Sequence, residues 1–446
     1  MVLNIKGFGE ESSKIRYTGV IDWLVTYSDP VSQWKAHPTF ILVESIFLFG
    51  ALMILIHAFK RGGRWPWLFF AAMGHGFVVE LIAYFVPFID NFWHAQGLIT
   101  LFDRHPVFYY HSSWAASKMK LKNEFVECMA VGLLTVLIDM PYDMNGVKYV
   151  HWIWHDTDPN ICRSVLYQDI SIKLLTMRFD FLFCFFLFHS GDDRHYWVPW
   201  NSYYFHLCFS TSFQFWFHYT SKWIQGTKNW KKWQAGSLKS EIIALLAASF
   251  LGMPGGCLLF IPLYHPMHDF LNVHSEITAV SILLIWAAVV WKFDRKSNRF
   301  VEPEKMDLIS KILTIHLIGY YLLYIGIVIF FNPEDVVSVG LHQRIGNCNE
   351  TEPVHTVLKT LQRGKYLCVD NYDEKYYDFH CLPNGKFPAP DSIWYTVCGT
   401  PFENRAEYIA ILSLIGFIAY IIFSSIYFDF NESFANQENR LLKKQH

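Results

Sequence analysis

Long apolar runs constrain this chain more than any other feature. Residues 39–59, 66–88, 123–140, 241–262, 275–292, 309–331 and 406–428 are each apolar nearly throughout. A helix rises 1.5 Å per residue, so about 20 such residues cross the ~30 Å hydrocarbon core of a bilayer. In that solvent every backbone N–H and C=O must find a partner within the protein, and repeated spans of this kind leave a helix bundle as the fold. Two further segments read as spans although they are more polar: 95–117, interrupted by Asp103, Arg104 and Pro106, and 199–220. The run from Phe179 to Phe188 covers only about half a crossing. The expectation is an all-α, polytopic transmembrane bundle of about nine spans with a small cysteine-containing luminal loop domain.

Composition agrees with a membrane class. The chain is 52% hydrophobic and 18% aromatic but only 17% charged, below the share usual for a soluble protein of 446 residues. A net charge of −2 offers no broad basic field, so nucleic acid is excluded as a partner and membrane lipid is expected instead. The opening M-V-L-N-I-K-G-F-G-E-E has no signal-peptide pattern, so the first span is expected to direct insertion.

Basic runs give the sides. Lys60-Arg61-Gly62-Gly63-Arg64, Lys118 to Lys122, Lys222 to Lys239, Lys292 to Arg299 and the tail R-L-L-K-K-Q-H should all face the cytosol. Nine spans without a crossing at 179–188 put all five on one side. The domain reading is a luminal segment 1–36, a bundle 37–331, a luminal loop 332–404, a last span 405–428 and a cytosolic tail 429–446. Residues 162–192 interrupt an otherwise continuous aromatic-acidic pattern. Their F-D-F-L-F-C-F-F-L-F-H-S-G could be encoded by a pyrimidine-rich stretch ending in a splice acceptor. A retained intron and a hairpin in the membrane interface are the two readings of that insert.

The loop 332–404 holds Cys348, Cys368, Cys381 and Cys398, an even set that reads as two disulfides in an oxidising compartment, with three connectivities open. Asn349-Glu350-Thr351 is a glycosylation acceptor in the same loop. The ending Lys443-Lys444-Gln445-His446 resembles the dilysine retrieval signal of endoplasmic-reticulum membrane proteins. That signal requires a cytosolic C-terminus.

The residues that carry chemistry cluster between Asp139 and Asp158. This stretch carries four acids, two histidines and two tryptophans around a span end, where ionisable groups are costly unless they bind something or pair. On the assigned topology Glu44, Glu80, Asp139, Asp143, His151, His155, His206, His265, His268 and Asp269 all fall toward the luminal side. His151 and His155, four apart, share a helix face and can grip one ion; His265 and His268 can point together with Asp269 beside them. Imidazole plus carboxylate suits zinc or iron. Asp139 and Asp143 would share a face if the helix continued past Pro141. Against these stand plainer readings: helix-end histidines that bond backbone carbonyls, and Trp152 and Trp154 as interface anchors.

The order Asp139, Asp143, then Trp152-x-Trp154, then Tyr196-Trp197-Val198-Pro199-Trp200-Asn201 resembles the carotenoid-hydratase-like membrane family, which includes the bisanhydrobacterioruberin hydratases. The likeness covers roughly residues 66–220, departs at Trp197 and after Asn201, and has no counterpart for the histidines. A still closer likeness is to an uncharacterised group of eukaryotic polytopic proteins that carry W-H-D-T-D-P and V-P-W-N-S-Y-Y-F-H, here 154–159 and 198–206. The resemblance implies an isoprenoid or lipid pocket in which Trp152, Trp154, Tyr196 and Asn201 contact the substrate. Glu80, Asp139 and Asp143 would then supply acid and water-directing groups. Three functions follow as expectations. The first is an enzyme on an apolar isoprenoid or lipid, hydratase-like or metal-assisted. The others are a proton- or cation-coupled transporter and a non-catalytic assembly protein of the endoplasmic reticulum.

Overall fold

The computed structural model describes residues 4–10, 14–21, 25–85, 92–100, 106–121, 123–154, 200–267, 271, 273, 275–294, 307–340, 345–355, 360–368, 377–382, 385 and 396–429. A short strand β1 (Thr26–Tyr27) and a helix α1 (Pro30–Ala36), capped by the Asp29 side chain on Ser32 N, lead into the bundle. The long helices are α2 (Pro38–Arg61), α3 (Trp65–Phe85), α5 (Glu124–Lys148), α6 (Trp200–Gln225), α7 (Leu238–His265), α8 (Ser275–Asp294), α9 (Leu308–Phe330) and α10 (Arg405–Ser424); α4 (Pro106–Lys118) is short. Five of the candidate spans, around α2, α5, α7, α9 and α10, are long and apolar enough to cross a membrane. The chain is thus a mostly helical, multi-pass membrane protein.

Local chemistry sets the helix ends. Pro38 opens α2 at a position where its missing N–H costs nothing. Gly62 closes it at φ 63°, a conformation that glycine adopts freely. Asn123 caps α5 by accepting from Phe125 N and Val126 N, with Glu124 and Glu127 in the first turn where the helix dipole favours them.

Side-chain contacts fix the direction of the helices. At the Thr39 end of α2, Thr39 Oγ1 meets His151 Nε2 at 3.0 Å, and the Tyr149 hydroxyl lies 3.1 Å from Ile327 O and 3.0 Å from Phe331 O at the close of α9. At the Arg61 end, Arg61 stacks on Trp114 of α4, Lys222 of α6 bonds Glu124 of α5 at 2.6 Å, and Arg64 bonds Glu241 of α7 at 2.8 Å. The helices therefore run the length of the bundle in alternation. The basic residues at 60–64, 118–120 and 222–239 all gather at the Arg61 end.

The segment 95–117 is not the helical span expected. Ala95 N bonds His151 O at 2.8 Å at the Thr39 end, and Trp114 sits under Arg61 at the other. The chain does pass from end to end, but among the described residues only the 13 from Pro106 form a helix, about 20 Å long. The cause lies in the partners of residues 92–100. Strand β2 (Phe92–His94) pairs with β4 (Trp152–Trp154), and β3 (Ile99–Thr100) pairs with β1. Gln96 N bonds Val339 O at 2.6 Å, Leu98 O accepts from Ser28 N, and Leu98 N bonds the Glu44 carboxylate at 2.9 Å. Backbone groups satisfied by neighbouring segments have no need of a helix.

A second correction concerns α5. The expected span ended at residue 140, but the helix continues through Pro141 to Lys148. Proline at 141 removes the donor for Leu137 O. Tyr321 of α9 replaces it with a hydroxyl bond of 2.7 Å, and Tyr320 reaches the adjacent Ile138 O at 2.9 Å. Tyr321→Phe should therefore leave a buried carbonyl without a donor and destabilise the bundle by about 1–3 kcal/mol. Thermal unfolding in detergent measures this, and the effect should shrink in a Pro141→Ala background, where the backbone donor returns.

The loop between α9 and α10 is β-rich rather than helical. Strand β11 (Thr396–Gly399) lies between β10 (Tyr377–Asp378) and β5 (Val337–Val339). A hairpin joins β7 (Thr351–His355) to β8 (Thr360–Gly364), and β6 (Ile345–Gly346) runs parallel to β9 (Leu367–Cys368). Of the three connectivities left open, the structure holds Cys381–Cys398. Cys348 is disulfide-bonded too, and the side chain of Cys368 lies outside the described residues. The loop docks on the Thr39 end: Lys148 Nζ donates to Pro401 O at 2.9 Å, and Gly340 pairs with Ala95. A Cβ on Gly340 would fall 2.5 Å from His94 O, so only glycine permits that approach.

Candidate functional site

Because α5 continues past Pro141, Asp139 and Asp143 fall one turn apart on a single face. The facing helix α6 brings His206 to them: its Nε2 lies 3.2 Å from Asp139 Oδ2. One ligand atom from each of the three residues lies within 4.8 Å of the others. Both aspartates are buried, while His206 is partly exposed. Tyr203 and Tyr324 lie within electrostatic reach of both carboxylates. Tyr320 and Tyr321, which hold the α5 backbone beside them, reach Asp139 in the same way. Asp139 stands 15 residues beyond Glu124 (139 − 124), about 22 Å along α5. The cluster thus lies inside the bundle, not at the mouth of a span.

Two carboxylates so close in an apolar interior cannot both stay ionised without compensation. A proton shared between them, a protonated His206, or a divalent cation would each lower the cost. The donor set, two carboxylates and one imidazole, suits zinc or iron.

The other residues singled out from sequence are distributed differently. His151 is completely buried at the bundle end, bonded to Thr39 and packed against His37 and Phe40. It belongs to no such ligand group among the described residues. Trp152 is buried in β4 with its indole against Gly146, where a Cβ would stand 2.2 Å from the ring nitrogen. Trp154 lies in the same strand, Glu80 on α3, Asn201 in the first turn of α6 and His265 at the end of α7; their side chains lie outside the described residues. His155, Tyr196, His268 and Asp269 also lie outside them, as does the insert 162–192. Asn349 is exposed in a turn of the loop. A second grouping, Asp378, His380 and Cys398, has its sulfur committed to the disulfide.

Sequence reasoning missed a polar network at the opposite end, where the expectation was of a one-sided crowd of ionisable groups. Arg64 is completely buried. Its Nε bonds Glu241 at 2.8 Å, its Nη2 donates to Phe217 O at 2.6 Å, and its Nη1 lies 3.1 Å from His218 Nδ1. His218 Nε2 lies 3.5 Å from Glu127, which also bonds Lys232. Gln214 is 2.7 Å from His218 and 2.8 Å from Ser113. Burial lowers the affinity of the Arg64 guanidinium for its proton, and the Glu241 carboxylate raises it again. One signal was available: His206, Ser210, Gln214 and His218 recur every four residues, which puts a polar row along one face of α6.

No curated protein and no solved structure matches this chain. A family model does match, over residues 10–191 and 189–430. The chain belongs to the family described as Domain of unknown function (DUF7802).

Proposed function

We propose that this member of an uncharacterised family is a membrane enzyme centred on Asp139, Asp143 and His206, which hold a divalent zinc or iron ion and act on a long apolar substrate of the isoprenoid or lipid class. The observation that carries this reading is the meeting of the three side chains inside the bundle. A divalent cation would cancel the two carboxylate charges, making the group neutral where charge is most costly. Such an ion supplies an activated water or polarises a substrate oxygen. Asp139 and His206, whose facing atoms lie 3.2 Å apart, would share the ion, and the partly exposed His206 leaves one edge of the group reachable by a lipid-soluble molecule. In the metal-free version one proton shared by Asp139 and Asp143 serves as the acid, as the likeness to the hydratases implies.

The test is elemental analysis of detergent-purified protein. The expected result is about one zinc or iron per chain, lost in His206→Ala. Metal-free wild-type protein that also fails to take up either ion on titration would remove the metal reading. Cation passage is the second reading, favoured by the polar groups found at both ends of the bundle.

The proposed setting is the endoplasmic reticulum with nine crossings, the basic Arg61 end and the C-terminus in the cytosol. The disulfide in the loop at the opposite end supports an oxidising lumen there. Asn349, exposed on that loop, should then carry a glycan. An endoglycosidase-sensitive mobility shift, absent in Asn349→Gln, is the expected outcome; an unshifted wild type would argue for the reverse orientation.

A further inference from the structure

The faces of α5 and α6 carry two matched polar rows. On α5 they are Glu127, Thr135, Asp139 and Asp143; on α6, running antiparallel, they are His218, Gln214, Ser210 and His206. Two members of each row pair directly, Glu127 with His218 and Asp139 with His206. The two helices come close at Gly132: a Cβ there would stand 2.4 Å from Thr211 Oγ1 and 2.7 Å from Leu207 O.

Between the two ends the α6 row stays polar and buried, while buried Val131 interrupts the α5 row between Glu127 and Thr135, and the polar groups are not closed by mutual bonds. Ser210 Oγ and Thr211 Oγ1 are buried and have no hydrogen-bond partner among the described residues. Thr135 donates to Val131 O and keeps its lone pairs open. Gln214 and Ser113 extend the chain of bonds from His218, and Gln214 stands one turn from Ser210 on α6. Buried hydroxyls without protein partners are ordinarily satisfied by internal water, and two to four polar neighbours are what such a water needs.

We propose that the α5–α6 seam is a hydrated file through which water and protons reach the Asp139 cluster from the Arg61 end. A proton enters from the side of Glu127, is passed between waters bound to Gln214, Ser210 and Thr211, and arrives at the carboxylates; each water that accepts one proton releases another, so nothing else changes. The significance of the file rests on that cluster being the working centre, but its existence does not, and the test uses neither metal nor activity.

The test is thiol labelling of the full-length protein in sealed vesicles with a small, membrane-impermeant cationic methanethiosulfonate, read peptide by peptide by mass spectrometry. Ser210→Cys exchanges one atom and Gln214→Cys shortens one side chain. Lys228→Cys and Glu403→Cys report the two sides, and the buried native Cys208 serves as the dry reference on the same helix. Labelling of both seam cysteines from the Lys228 side should exceed that of Cys208 by about 10-fold or more, because thiol reactivity follows access to water. Adding Gln214→Leu to Ser210→Cys should abolish the excess at 210. Rates no higher than that of Cys208, or equal from both sides, would overturn the file and leave the seam a dry structural contact. The unmutated chain gives a second measure: hydroxyl radicals generated in water should modify His218 more than the buried Tyr324, and equal modification would count against the proposal.

Discussion

Arg64→Met should destabilise the protein by about 3–5 kcal/mol, the largest stability effect expected of any single side chain here. The substitution keeps much of the apolar stem but leaves Glu241 as a buried carboxylate without its cation. Glu241 retains bonds from Ser221 Oγ and Gly236 N, both at 3.1 Å, so its loss is of charge compensation more than of hydrogen bonding. That distinction is testable. A double variant, Arg64→Met with Glu241→Gln, removes the unpaired charge while keeping an acceptor toward Ser221, and it should recover most of the loss. Thermal unfolding of the four proteins in detergent measures the coupling. If the single and double variants are equally destabilised, the packing of Arg64 over Phe217 matters more than its charge.

How far the sequence discloses this arrangement depends on what each residue faces. Helices α2, α9 and α10 are read easily because lipid selects apolar side chains over most of their circumference. Helix α6 reads weakly because it faces protein; Ser210, Gln214 and His218 are tolerated only where α5 and α4 cover them. Residues 95–100 cannot be read locally at all, since their backbone partners come from residues 26–28, Glu44, His151 and Val339. The passage of α5 through Pro141 is equally remote in origin, being supported by hydroxyls some 180 residues later in the chain. This one extension decides the site, because it turns Asp143 from a loop residue into the neighbour of Asp139. Arg64 illustrates the opposite failure: a loop arginine reads as a solvated topological marker, yet Glu241 and the Phe217 carbonyl draw it fully inside.

The second large effect concerns Asp139, and its sign separates two states of the site. If a divalent ion is bound, Asp139→Asn removes a charged ligand, and metal affinity should fall by about 100-fold or more, beyond what loss of an outer partner costs. Stability should fall with it, because an ion held at 100 times its Kd contributes about 2.7 kcal/mol that the variant forfeits. Chelation of the wild-type protein should reproduce that loss, and chelation of the variant should change nothing. If no ion is bound, the same substitution relieves repulsion between two buried carboxylates and keeps a polar group beside His206, so the variant should equal or exceed the wild type in stability. Asp143→Asn should follow the same sign in each case, since the two side chains share one helical face. Thermal unfolding of wild type and both variants, each with and without chelator, therefore distinguishes a metal centre from a proton-sharing acid pair before any substrate is known. Stability lost on substitution with no response to chelator would point instead to the Asp139–His206 ion pair as the feature that holds α5 to α6.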